Sequence, residues 1–208
     1  MAGETRQHGR FITLEGVDGA GKSTLIPWIA GRLRRPGREI VLTREPGGTP
    51  LAEKLRALVL GEAMDPISET LLMFAARFDH VRKIIAPAIA RGAWVVCDRF
   101  TDATLAYQGG GKGVAADLIR NLAQSVHPGL APDQTLVFDC PYDVSRNRLS
   151  ASGRKLDRFE AEEQAFFERV RAAYRALAAA EPGRVRIIDG SQAPWEVKAE
   201  VEKYILSD

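Results

Sequence analysis

A lysine and a serine at the end of a glycine-rich turn are the residues whose types and spacing most directly imply chemistry. They close the stretch Gly16-Val17-Asp18-Gly19-Ala20-Gly21-Lys22-Ser23, with Thr24 next. Glycine, four residues, then Gly-Lys-Ser is a phosphate-cradling pattern. The glycines let the backbone fold back with no Cβ in the way, so successive N–H groups point into one concavity. At a helix N-terminus, unpaired N–H groups and the helix dipole favour an anion there. Lys22 brings a point charge to the terminal phosphates, and the Ser23 hydroxyl is a ligand for Mg²⁺. These residues predict a nucleoside triphosphate site.

Other polar clusters follow apolar runs. Asp98-Arg99 comes directly after Ala93-Trp94-Val95-Val96-Cys97. Asp98 there is either the acid that holds Mg²⁺ or a helix N-cap and partner for Arg99; the arginine suits a second phosphate, which a guanidinium grips with two donors. Arg44-Glu45-Pro46-Gly47-Gly48-Thr49 reads as a turn or a substrate loop. Arg77 ends Met73-Phe74-Ala75-Ala76-Arg77 inside a long helical pattern, either solvated or a buried fork aimed at a ligand. Residues 146–158 hold Arg146, Arg148, Arg154, Lys155 and Arg158 against the single acid Asp157, around the small residues Ser150-Ala151-Ser152-Gly153. A basic run on small residues suits a lid that closes on phosphates.

The elements that must position these groups alternate. Strands are predicted at about 10–15, 39–42, 93–97, 135–138 and 185–188. Helices are predicted from the glycine loop to about 35, from Thr49-Pro50 to about 60, from 67 to 91 with a bend at Pro87, and at about 115–126, 144–150, 160–179 and 194–206. The glycine run Gly109-Gly110-Gly111 is expected to break a helix-like segment ending at Gln108. Alternation implies a parallel five-stranded sheet with helices on both faces, and ligands collect at the carboxyl ends of such strands. The phosphate loop, Arg44-Glu45 and Asp98-Arg99 all fall at those ends. The α/β domain spans 10–208 behind a polar tail, 1–9, with the lid at about 146–158.

With 45% hydrophobic residues and a net charge of +2, the chain suits a soluble globular domain and offers no case for a nucleic-acid partner. No run is long and apolar enough for a bilayer, and the first ten residues lack the apolar core of a secretory signal. Cys97 and Cys140 show no zinc spacing and read as reduced structural thiols of a cytoplasmic protein.

The motifs Glu15 to Ser23, Thr43 to Thr49, Asp98-Arg99-Phe100, Ala106-Tyr107-Gln108-Gly109-Gly110-Gly111 and Leu156-Asp157-Arg158-Phe159-Glu160 together resemble thymidylate kinase over nearly the whole chain. The resemblance implies a P-loop NTPase-type fold and transfer of the ATP γ-phosphoryl group to dTMP, giving dTDP, with Mg²⁺, in a cytoplasmic homodimer. It places Lys22 and Ser23 on ATP and Mg²⁺, and Asp18 near the 3′-hydroxyl of the acceptor sugar. Arg99 would hold the dTMP phosphate, with Arg44, Glu45 and Pro46 in the same pocket. Arg77 would donate to a thymine carbonyl, Thr104 and Gln108 would border the base, and Tyr107 would lie under the deoxyribose. Either Met73 or Phe74 would cover the thymine ring. Gly19 stands where some members carry an arginine, which resembles the bacterial subtype whose lid supplies the catalytic arginine. Arg154 is the first candidate because it follows Gly153, and Arg148 is the reserve; Arg158 is expected to be held by Asp157 or the nearby helix. A GTP-driven switch is disfavoured, since the chain has no Asn-Lys-x-Asp guanine reader. A non-catalytic ATP-binding module is disfavoured by Arg99 and Arg77; a P-loop kinase for another small acceptor is the closest alternative.

Overall fold

The computed structural model describes residues 9–153 and 157–206. Five strands, β1 (Arg10–Gly16), β2 (Ile40–Arg44), β3 (Trp94–Asp98), β4 (Gln134–Asp139) and β5 (Val185–Asp189), form one parallel sheet in the order β2-β3-β1-β4-β5. Alternating side chains split the core between the two faces. Ile12, Leu14 and Val96 pack with residues of α1 (Lys22–Leu33), α8 (Gln164–Ala180) and α9 (Pro194–Ile205). Phe11, Val95 and Cys97 pack instead with Val81, Ile85 and Ala88. This is the predicted α/β architecture, with a helical layer on each face.

Local chemistry sets the helix starts. Thr49 caps α2 (Pro50–Gly61), accepting from the Ala52 N–H at 3.1 Å, and Asp65 caps α3 (Pro66–His80), accepting from the Ile67 N–H at 2.8 Å. Each cap is followed by proline at the first helical position, where no N–H is missed. Beyond His80 the chain widens into a π-turn, Val81–Ile85, before α4 (Ala86–Ala90). Pro87 cannot donate to the preceding turn, which accounts for the irregularity at the predicted bend.

The glycine run departs from expectation. After α5 (Thr101–Thr104), residues Leu105–Gly111 are a π-helix, so the glycines extend the helical segment instead of breaking it. Their role is close packing on α8: a Cβ on Gly110 would sit 2.5 Å from Ala173 Cβ, and one on Gly111 2.4 Å from Phe166. Tyr107 and Gln108 are thereby held against a fixed wall. The chain continues through α6 (Ala116–Val126) and α7 (Tyr142–Ala151). No described helix is long and apolar enough to cross a membrane.

Candidate active site

The phosphate loop runs from the end of β1 to the start of α1, and its glycines are obligatory for two different reasons. Gly16, Gly19 and Gly21 all have positive φ (116°, 76° and 97°). A Cβ on Gly16 would lie 2.1 Å from the Phe138 carbonyl oxygen and one on Gly19 2.7 Å from the Ser145 carbonyl oxygen, whereas Gly21 meets no close neighbour and needs only the left-handed conformation. Val17 and Ala20 are buried beneath the loop, and Ser23 and Thr24 are exposed at the helix start. Lys22 is buried and donates to the carbonyls of Gly16 (2.8 Å) and Val17 (2.9 Å). Burial, aided by repulsion from Arg99, lowers its pKa to about 8 against the attraction of Asp18 and Asp98.

Arg99 joins the loop to a second site. Its backbone has φ 70°, a left-handed conformation unusual for a side chain with a Cβ. The guanidinium thereby turns back over the loop, with Nη2 donating to Asp18 Oδ1 at 2.7 Å and to the Tyr107 hydroxyl at 3.0 Å, and Nη1 to the Gly16 carbonyl at 3.0 Å. The Tyr107 hydroxyl donates to Asp18 Oδ2 at 3.0 Å. Burial works against ionisation of Asp18, but Arg99 and Lys22 outweigh it and hold its pKa at about 2. Beneath them Glu15 is fully buried and accepts from the Phe100 N–H and the Tyr174 hydroxyl, each at 2.7 Å. Burial, reinforced by the Asp102 charge, raises Glu15 to about 8.

Beyond Arg99 opens a second cavity. Glu45, Pro46, Met73, Arg77, Thr104, Tyr107 and Gln108 line it with Asp18 and Arg99. Arg77 is buried: Nε donates to Glu45 Oε2 at 2.6 Å, and Nη2 to the Phe100 carbonyl and Thr104 Oγ1, both at 3.1 Å. Nη1 is buried with no hydrogen-bond partner, an unspent donor on a residue that lines the cavity. The other Glu45 oxygen meets His80 Nδ1 at 2.9 Å, and His80 Nε2 meets Thr43 Oγ1 at 2.6 Å.

The structure separates two pairs of alternatives and corrects one expectation. Phe74 does not line the cavity; it packs with Val114 and Ile119, leaving Met73 as the cavity side chain of that pair. Arg44 is exposed and bonded to Glu53 at 3.0 and 3.1 Å; it lines the cleft of the phosphate loop, while Arg56 from α2 borders both spaces. Arg158 is not held by Asp157, which caps the N–H groups of Phe159 and Glu160 instead. It donates to the Val59 carbonyl at 2.5 Å and to Glu69 on α3. Arg148 does border the phosphate loop, donating to the carbonyls of Gly190 (2.7 Å) and Gly19 (3.3 Å). Arg154 lies outside the described residues.

The metal reading has structural support. Asp98 Oδ1 is buried without a partner and shares the loop cleft with Ser23. The alternatives weaken: Arg99 bonds Asp18 instead, and α5 begins at Thr101 with Phe100 before it. Among the described residues no group of three or more His, Cys, Asp or Glu could hold an ion alone. Mg²⁺ commonly takes one or two protein ligands and completes its shell with phosphate and water, so the donor set fits.

Glu69, His80, Tyr174 and Arg56 escaped the sequence reading. For Glu69 and His80 a signal exists: Glu69, Met73, Arg77 and His80 recur at helical spacing on one face of α3. Tyr174, far along the chain, has none.

The description "Thymidylate kinase" belongs to the family model that matches residues 14–201. Thymidylate kinases of Bordetella petrii and Cupriavidus metallidurans are 61% and 54% identical over 193 and 199 residues, covering 93% and 96% of this chain and 93% and 98% of theirs. Among solved structures, thymidylate kinase from Ehrlichia chaffeensis matches with a TM-score of 0.76 and 34% identity, over 94% of this chain and 97% of that one. With a phosphate loop and a second cavity meeting at Arg99, and matches across nearly its whole length, the chain belongs to the thymidylate kinase family.

Proposed function

We propose that the chain transfers the γ-phosphoryl group of ATP to the 5′-phosphate of dTMP, giving dTDP and ADP, with Mg²⁺ as cofactor. The observation that supports this best is Arg99, whose fork spans from the loop-side Asp18 to the wall of the second cavity. Two anions could be held on either side of one guanidinium, as an in-line transfer between them requires. ATP would lie in the loop cleft, with the N–H groups of residues 16–24 and Lys22 around its phosphates. Lys22 would exchange its two carbonyl partners for phosphate oxygens and neutralise charge gathering in the transition state. Ser23 and Asp98 would hold Mg²⁺, which supplies charge neutralisation on the phosphates when bound.

On the acceptor side Arg99 would grip the dTMP phosphate. Tyr107, edge-on to Phe159 and Phe166, would underlie the sugar, with Asp18 at its 3′-hydroxyl. Arg77 would direct its unpaired Nη1 to a thymine carbonyl beside Thr104 and Gln108, with Met73 on the ring. Residues 146–158 would act as the lid and supply an arginine from Arg148 or Arg154. The exposed apolar residues Leu51, Leu58, Ile67, Leu71 and Phe78 on α2 and α3 support a homodimer, and the free buried thiols Cys97 and Cys140 support a cytoplasmic setting.

A coupled ADP-release assay across nucleoside monophosphates tests the reading. dTMP should be the preferred acceptor, with dUMP weaker by roughly 1–3 kcal/mol for the missing methyl contact and ribose monophosphates poor. Comparable kcat/KM for dTMP and UMP would refute the assignment.

A further inference from the structure

Glu69 is a fully buried carboxylate that phosphoryl transfer does not use. It stands four residues before Met73 and eight before Arg77, on the α3 face that lines the second cavity. Three donors converge on it: Gln108 Nε2 at 2.7 Å, Lys112 Nζ at 2.8 Å, and Arg158 from beyond α7. A carboxylate flanked by two cations accepts and does not donate, so it decides which end of the Gln108 amide faces it. The NH₂ end is spent on Glu69. That leaves the oxygen as the group Gln108 can offer to the cavity it lines. The same cavity is bordered by Arg77, whose Nη1 is a buried donor with no partner. With Arg77 and Gln108 both lining it, the cavity can draw a donor from one and an acceptor from the other.

We propose that Glu69 is a specificity-determining positioning residue. By holding the Gln108 amide with its oxygen toward the cavity, it selects a base with a carbonyl next to an N–H, as thymine and uracil have at O4 and N3. Cytosine presents an amino group and a bare ring nitrogen at those places. Both cavity groups would then face like partners, and buried polar groups left unpaired give strong rejection. The inference rests on the pyrimidine-acceptor reading above. A wild-type protein with no dTMP-dependent ADP release defeats that reading, whereas an active wild type whose base preference ignores Glu69 defeats only this inference.

The test is the ratio of kcat/KM for dTMP over dCMP, because damage that is merely structural lowers both together. Glu69→Gln replaces a pure acceptor with an amide that can also donate, so Gln108 is free to turn over. The ratio should fall by at least about tenfold, with the KM for ATP within about threefold of wild type. Glu69→Asp keeps the acceptor character and should hold the ratio within about threefold. Gln108→Leu should lower the ratio as Glu69→Gln does, and adding Glu69→Gln to it should change the ratio no further, since one residue acts through the other. An unchanged ratio in Glu69→Gln, or additive effects in the double variant, overturns the proposal. Should Glu69→Gln fail to fold by circular dichroism, Gln108→Leu decides alone: an unchanged ratio there overturns it equally.

Discussion

Arg99→Ala is the perturbation whose consequences the structure fixes in most detail. The wild-type guanidinium donates to Asp18 Oδ1 at 2.7 Å, the Gly16 carbonyl at 3.0 Å and the Tyr107 hydroxyl at 3.0 Å. In the variant Asp18 keeps the Tyr107 hydroxyl and the nearby Lys22 charge, so it is not stranded. Losing the ion pair should cost roughly 1.5–3 kcal/mol of stability. The backbone φ of 70° remains strained in alanine, while Arg99→Gly should recover about 1 kcal/mol of that strain. Catalysis should fall much further. Removing one partner of a buried charged pair costs about 2–5 kcal/mol, which is roughly 30- to several thousandfold in kcat/KM for dTMP. The KM for ATP should barely move, because the loop N–H groups and Lys22 are untouched. Steady-state kinetics with each substrate varied, together with denaturant unfolding of both variants, measures every part. If either variant keeps kcat/KM for dTMP within about fivefold of wild type, Arg99 does not hold the acceptor phosphate.

Lys22→Ala should leave the circular dichroism spectrum intact and abolish ADP release; near wild-type turnover would sink the loop assignment. Since burial brings Lys22 down to about 8, its charge in the free protein is lost as pH rises through that value, and kcat/KM for ATP should decline above it. A flat profile from pH 7 to 9 would contradict this. Glu15, raised from 4.5 to about 8, binds its proton more tightly folded than unfolded, so its stabilising contribution is fully present below 4.5 and is lost as pH rises from there to about 8. Wild-type Tm should therefore drop between about pH 5 and 8 and level off above, and Glu15→Gln should flatten that drop. For the lid, single alanine replacements of Arg148, Arg154 and Arg158 should single out one, first Arg154, with a loss of at least about a hundredfold in kcat and little change in dTMP binding. If all three stay near wild type, the lid is only a cover. Arg158, held by Glu69 and Val59, should be the least damaging to phosphate chemistry.

The sheet and the phosphate loop were legible because each rests on local signals. Apolar β-branched runs mark buried parallel strands, and Gly16, Gly19 and Gly21 are demanded by backbone geometry that only glycine meets. Helix starts at Thr49-Pro50 and Asp65-Pro66 were legible for the same reason. What was not legible concerns packing between distant segments. Gly109 to Gly111 look like a breaker locally, but Gly110 and Gly111 serve the approach of α8, some sixty residues later. Met73 and Phe74 are adjacent and both apolar, so only the rotation of α3 against α6 decides which faces the cavity. Arg158 next to Asp157 suggests a local pair, yet the longer reach to Glu69 wins because that buried carboxylate needs cations around it. Tyr174, which donates to Glu15 across the core, follows from no local pattern.

The central claim is a phosphoryl transfer between two bound nucleotides, and the fate of the γ-phosphorus tests it most directly. With ATP labelled at the γ-phosphate, dTMP and Mg²⁺, the label should appear in dTDP in step with ADP. It should not appear when dTMP is omitted or when Lys22 is replaced by alanine. Label released as inorganic phosphate at the same rate with and without dTMP would contradict the account.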